Sequence, residues 1–175
     1  MTQGPTQQPT QERSHIIAVL VDNEPGVLAR VIGLFSGRGY NIESLTVSEV
    51  DADAMLSRIT LVTRGTHQII EQIKAQLFRI VPVHTVKDLT EDGPVVDREV
   101  ALVKVLSQGE ARLEAMRLAE IFRARVVDST LQSMIFEVSG RTEKVQAFID
   151  LMTPLGCIEI VRTGCVAMAR GEHPF

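Results

Sequence analysis

The sequence predicts an α+β fold built from two βαββαβ units in tandem. Three observations carry that prediction. Short β-branched apolar runs alternate with turn residues; each half holds two helical apolar stripes; and the order of elements repeats across a polar linker at 91–97, "EDGPVVD". That order is the ferredoxin-like one.

"HIIAVLV" (15–21) is nearly all apolar and reads as a buried strand. The period then changes. Leu28, Val31, Ile32 and Phe35 recur at i, i+3, i+4 and i+7, which predicts a helix over 25–36 with Pro25 in its first turn. "SGRG" (36–39) ends that helix. "NIESLTVSEV" (41–50) is a second strand, whose phase slips between Ile42 and Leu45 and so suggests a bulge there. "DADA" (51–54) turns into "MLSRITLV" (55–62). Thr66 can cap a second helix with Ile69, Ile70, Ile73 and Leu77 inward, and "VPVHTVKDL" (81–89) closes the first domain, 15–90.

The second domain, 98–171, follows the same order. "REVALVKVL" (98–106) is a strand, and a helix from about Glu110 to Arg123 turns Leu118, Ile121 and Phe122 inward. "RVVDST" (125–130) and "SMIFEVSG" (133–140) are strands. Val145, Phe148, Ile149 and Met152 mark the last helix, and "GCIEIVRTGCVAMA" (156–169) a final strand region broken near Gly164.

Bulk composition narrows the function. Net charge is −4 and aromatics are one Tyr, six Phe and no Trp, so neither an electrostatic footprint for nucleic acid nor a base-stacking platform is present. An RNA-binding domain with the same order of elements would need aromatics on its central strands, and "HIIAVLV" and "MLSRITLV" have none. Cys157 and Cys165 lack a CxxC context and read as reduced thiols of a cytoplasmic protein. Residues 1–14 hold no apolar run and read as a disordered, solvated tail, and no apolar run reaches bilayer length.

No constellation of catalytic residues stands out. "GRG" at 37–39 follows a helix and precedes a strand, the reverse of a dinucleotide fingerprint. His15, His67, His84 and His173 lack metal-ligand spacing. Asp51 and Asp53 flank a small-residue turn without enough further carboxylates for a metal. The four arginines of "RLEAMRLAEIFRAR" (112–125) read as the solvated face of a helix, or as a docking face for an acidic partner.

The junction "DNEPGVL" (22–28) is different. A helix beginning here leaves backbone N–H groups without partners and a partial positive charge, which together suit a carboxylate. Asn23 offers a donor and an acceptor, Gly26 lets a ligand approach the backbone, and Val27 and Leu28 add apolar contact. Asn41 with Ile42, at the entrance to the second strand, resembles half of a pocket for something zwitterionic and aliphatic. The same residues also serve as plain turn and cap chemistry.

The stretch "HIIAVLVDNEPGVLARVIGLFSGRGYNIESLTVSEVD", with "LSR" (56–58), "EQIKAQLFRIVPV" (71–83), "REVALVKV" (98–105), "EIFRARVVD" (120–128) and "RTGCVAMARG" (162–171), resembles the ACT-domain regulatory (small) subunits of acetolactate synthase over residues 15–171. The resemblance implies a first ACT domain that pairs side by side with that of a second chain. It implies a non-catalytic chain that raises the activity of a large catalytic subunit. That subunit would carry thiamine diphosphate, a divalent metal (Mg) and FAD, and this chain none of them. It further implies feedback inhibition by valine, or by leucine or isoleucine. The effector would lie between Asn23, Pro25, Gly26, Val27 and Leu28 of one chain and Asn41 and Ile42 of the other, with the C-terminal domain assisting dimerisation and contact with the large subunit. A stand-alone amino-acid sensor acting on a different enzyme is the alternative.

Overall fold

The computed structural model describes residues 12–172. It divides into two compact units, with the boundary between Pro94 and Val95. Of the tail expected over 1–14, residues 1–11, like His173, lie outside the described range, whereas Arg13 and Ser14 are strand residues paired with Gly65 and Arg64. Arg13 is held there by Glu91 at 2.7 Å, an anchor far away in sequence.

The first unit runs β1 (Arg13–Asp22), α1 (Val27–Arg38), β2 (Ser44–Asp51), β3 (Leu56–Gly65), α2 (His67–Leu77) and β4 (Val83–Asp88). Its antiparallel sheet has the order β2-β3-β1-β4, so β2 and β4 are the edges. Alternation on β1 and β3 turns Ile17, Val19, Val21, Ile59 and Leu61 toward one face, where Val31 and Phe35 of α1 and Ile70, Ile73 and Leu77 of α2 cover them. Thr66 caps α2 as its sequence predicts, accepting from the Ile69 N–H. Gly39, at φ +71°, ends α1 with its own N–H on the carbonyl of Ser36.

The second unit runs β5 (Val95–Leu106), α3 (Gly109–Phe122), β6 (Arg125–Ser129), β7 (Ser133–Gly140), α4 (Thr142–Met152), a short 3-10 turn (Thr153–Leu155), β8 (Cys157–Arg162) and β9 (Val166–Ala169). The strand order is β6-β7-β5-β8, and β9 pairs with the first residues of β5. That pairing draws Val95–Asp97 out of the expected linker and into a strand. Phe148 lies between Phe122 and Phe136, with ring centroids at 5.4 and 6.2 Å, and the four predicted inward residues of α4 are all buried.

Three local expectations are corrected. Helix α1 begins at Val27 rather than Pro25, because Gly26 at φ +87° caps it from the left-handed region. Its buried row is therefore Val27, Val31 and Phe35, while Leu28 and Ile32 stay 37% and 36% exposed. As the crossover from β1 to the edge strand β2, α1 has a wider apolar surface than the sheet beneath it covers. The bulge of β2 lies between Glu49 and Asp51, not near Ile42. Ile42 precedes the strand altogether, so the apparent slip of phase is the passage from loop to strand. On α3 the inward residues are Ala115 and Ala119, flanked by Leu118 and Phe122, and Ile121 is 73% exposed. Small residues let α3 sit close to the core and turn Ile121 to the far side of the helix.

Candidate functional site

The β1–α1 junction is held from both sides by backbone. The N–H of Asn23 donates to the carbonyl of Met55 at 2.7 Å, and the N–H of Glu24 to that of Asp22 at 2.9 Å. His84 on β4 meets the Asp22 carboxylate at 2.5 Å. Gly26 then sends the chain into α1, and its carbonyl accepts the first intrahelical bond, from Arg30, at 3.0 Å. No side chain caps this helix and no acid sits in its first turn. The Val27 N–H donates to the Glu24 carbonyl at 3.4 Å, and the Leu28 and Ala29 N–H groups lie ahead of that first intrahelical bond, so the positive end of α1 is bare of any side-chain cap. A Cβ on Gly26 would meet nothing within 4 Å, so its positive φ, not crowding, requires glycine there.

Around that tip, Asn23 and Pro25 are exposed, with Pro25 in the turn before the helix. Val27 turns into the core at 3% exposure, and Leu28 turns outward. The Asn23 side chain donates from Nδ2 to Glu49 Oε2 at 2.8 Å, which ties the junction to the end of β2. No pattern in the sequence singles out Glu49; it joins the site only through the register of β2 against β3.

Asn41 and Ile42 lie elsewhere. The Asn41 carbonyl accepts from Thr63 Oγ1 at 2.6 Å, its side chain is exposed, and Ile42 packs half-buried against the core. Asn23 sits by the start of β3, since Asp22 pairs with Leu56, whereas Asn41 sits near its end at Thr63. Seven steps of about 3.4 Å put the two asparagines roughly 24 Å apart along the sheet. A single chain does not bring them together. Between them runs the edge strand β2, with Val47 and Val50 44% and 52% exposed.

Other candidate groups resolve into structure. Asp51 Oδ1 accepts from the Ala54 N–H at 2.9 Å, which is turn chemistry. Two groups of potential metal ligands occur among the described residues: His15, Asp88 and Glu91, and His67, Glu71 and Glu91. The Glu91 they share already accepts from Arg13 at 2.7 Å and meets His67 at 3.2 Å. Cys157 and Cys165 form no disulfide. Among the described residues no helix is long and apolar enough to cross a membrane.

Comparison with known proteins agrees with this architecture. Residues 98–171 match the family described as "Small subunit of acetolactate synthase", and residues 17–85 match the "AHAS small subunit-like ACT domain". The chain is 50% identical over 158 residues to the probable acetolactate synthase small subunit of Archaeoglobus fulgidus, covering 90% of this chain and 98% of that protein. It is 46% identical to the acetolactate synthase small subunit of Haemophilus influenzae, again covering 90% of this chain and 96% of the relative. The crystal structure of the acetolactate synthase small subunit from Thermotoga maritima superposes with a TM-score of 0.81 at 40% identity, covering 92% of this chain and 99% of that one.

Proposed function

The chain belongs to the acetolactate synthase small-subunit family, and on that premise we propose that two copies pair through their β2 edges to hold a free branched-chain amino acid, valine foremost, that restrains a catalytic large subunit. The family role is regulatory and belongs to branched-chain amino acid biosynthesis. The observation that carries the finer reading is the placement of the two asparagines at opposite ends of one edge strand.

An antiparallel pair of β2 strands related by a twofold axis sets the start of each strand beside the end of the other. The bond from Asn23 to Glu49 fixes Asn23 at the end of β2, and Asn41 lies just before its start. Pairing therefore places Asn23 of one protomer beside Asn41 of the partner subunit, twice. An exposed edge strand supplies the unpaired backbone groups for that contact. Leu28 and Ile32, exposed on α1 alongside, offer apolar surface to the same junction.

The chemistry of such a site suits an aliphatic amino acid. Its carboxylate meets the bare end of α1, for a gain of about 0.3–2 kcal/mol. The two amides take its polar groups, and Leu28 and Ile42 take its side chain. One methylene is worth only about 1–3 kcal/mol in such a pocket, so leucine and isoleucine compete with valine by modest factors. A ligand held by two chains shifts their arrangement only by its differential affinity, and a coupling of about 1–3 kcal/mol suffices for graded inhibition.

The test is acetolactate formation by the cognate large subunit, with and without this chain, across a valine titration. The chain raises the rate and valine then lowers it. A large subunit indifferent to the chain, or a complex indifferent to valine, leucine and isoleucine, overturns the proposal.

A further inference from the structure

We infer that the second unit carries a binding site for a small oxyanion, a phosphate or a free carboxylate, between Ser107 and Arg112 at the start of α3. Strand β5 turns Ala101, Val103 and Val105 into the core, and Ser107 continues that inward alternation with 6% exposure. Its backbone is committed, the N–H donating to the carbonyl of Gln132 at 3.1 Å, but its hydroxyl has no partner among the described residues. Two residues later α3 begins, and Gln108 at its cap position makes no side-chain cap bond.

Arg112, one turn into α3, supplies the charge. Its Nη2 donates to Ser129 Oγ at 2.9 Å, while its Nη1 is buried with no partner. The contrast within the unit is direct. Arg162 makes a two-pronged contact with Glu99 at 2.7 and 2.9 Å, and Arg141 meets Asp97 at 3.2 Å. Arg112 has only a neutral hydroxyl. Arg112 as a residue is only half-buried, but a guanidinium nitrogen taken from water without an acceptor is costly. The Ser107 hydroxyl and Arg112 Nη1, both buried and without partners, beside uncapped N–H groups of a 14-residue helix, suit a group rich in acceptors. An oxyanion takes one oxygen to Arg112 Nη1, one to the Ser107 hydroxyl and one to the first turn of α3. Glu110, exposed in that turn, opposes it and keeps the affinity modest.

The site is separate from the asparagines of the first unit, so the two readings fail independently. The full chain is titrated with inorganic phosphate, and separately with acetate, at constant ionic strength, by calorimetry and thermal melting. Saturable binding of either is expected, phosphate alone marking the larger anion and both marking any carboxylate. Arg112→Gln weakens binding at least about tenfold and Ser107→Ala about fivefold, whereas Asn41→Ala leaves it unchanged. A purely structural Arg112 would instead lower the melting temperature of Arg112→Gln in anion-free buffer and leave the increment on adding phosphate intact. No saturable binding of either anion overturns the inference, as does an equal response in wild type and both variants.

Discussion

The sharpest consequence of the proposed pairing is complementation between two defective chains. Asn23→Ala and Asn41→Ala each remove one amide from an exposed position; the first gives up only its exposed bond to Glu49, and the carbonyl of Asn41, not its side chain, takes the Thr63 bond. Both variants therefore fold. Each costs one hydrogen bond to a charged ligand, about 1.5–3 kcal/mol, so valine binds roughly 10–100 times more weakly to either homodimer. A mixed dimer is different. One of its two sites takes both substitutions and the other takes neither, because the asparagines come from opposite chains. Random assortment of equal amounts makes half the dimers mixed, so about a quarter of all sites regain full affinity. Calorimetry on co-refolded chains reads that fraction as the stoichiometry of the tight phase. A mixture no better than either variant alone refutes the cross-chain site, since asparagines acting within one chain cannot complement.

Three further outcomes follow from the described geometry. Gly156→Ala destabilises the second unit by at least about 2 kcal/mol, because its Cβ would lie 2.2 Å from the Leu106 carbonyl oxygen at φ +100°; an unchanged urea midpoint contradicts this. Asp88→Ala strips the fully buried His15 of its 2.6 Å partner and costs about 1–3 kcal/mol or more, with less than about 1 kcal/mol of lost stability refuting the pair's role. Burial first, then Asp97, Glu99 and Glu143, push the Cys165 thiol from 9.0 up to about 11. Its thiolate is therefore about a hundredfold scarcer near neutral pH than an unshifted thiol's and grows only as pH rises; with Cys165 also buried and Cys157 half-buried, Cys157 is alkylated first and Cys165 last, and equal rates in a mass-spectrometric time course refute that order.

The strands and helices were legible because each is written in a local period. Val145, Phe148, Ile149 and Met152 repeat at helical spacing, and all four are buried. Where legibility failed, a tertiary fact had intervened. Leu28 and Ile32 share the helical period of Val31 and Phe35, yet only the latter two face the sheet. Periodicity reports how wide an apolar stripe is, not how much of it a neighbour covers. Ile121 teaches the converse, since Ala115 and Ala119 carry little hydrophobic signal and still set the face that packs. Arg13 and Ser14 carry no strand signal of their own, because a strand end held by Glu91, 78 residues away, leaves no mark on its own neighbours.

The candidate site was legible in its parts and not in its assembly. A polar turn ahead of a bare helix, and an asparagine at a strand entrance, are readable as ligand chemistry from residue type alone. Their separation is set by the register of β3 against both β1 and β2, which no local pattern encodes. That separation is informative rather than damaging. On the proposed pairing, two half-sites at opposite ends of an edge strand are useless to one chain and become complete twice over when the same edge meets itself in antiparallel. In that arrangement the bond from Asn23 to Glu49 locks one proposed half-site to the far end of β2. On the proposed geometry, ligand affinity and chain association are then a single linked equilibrium, and each strengthens the other by the same factor.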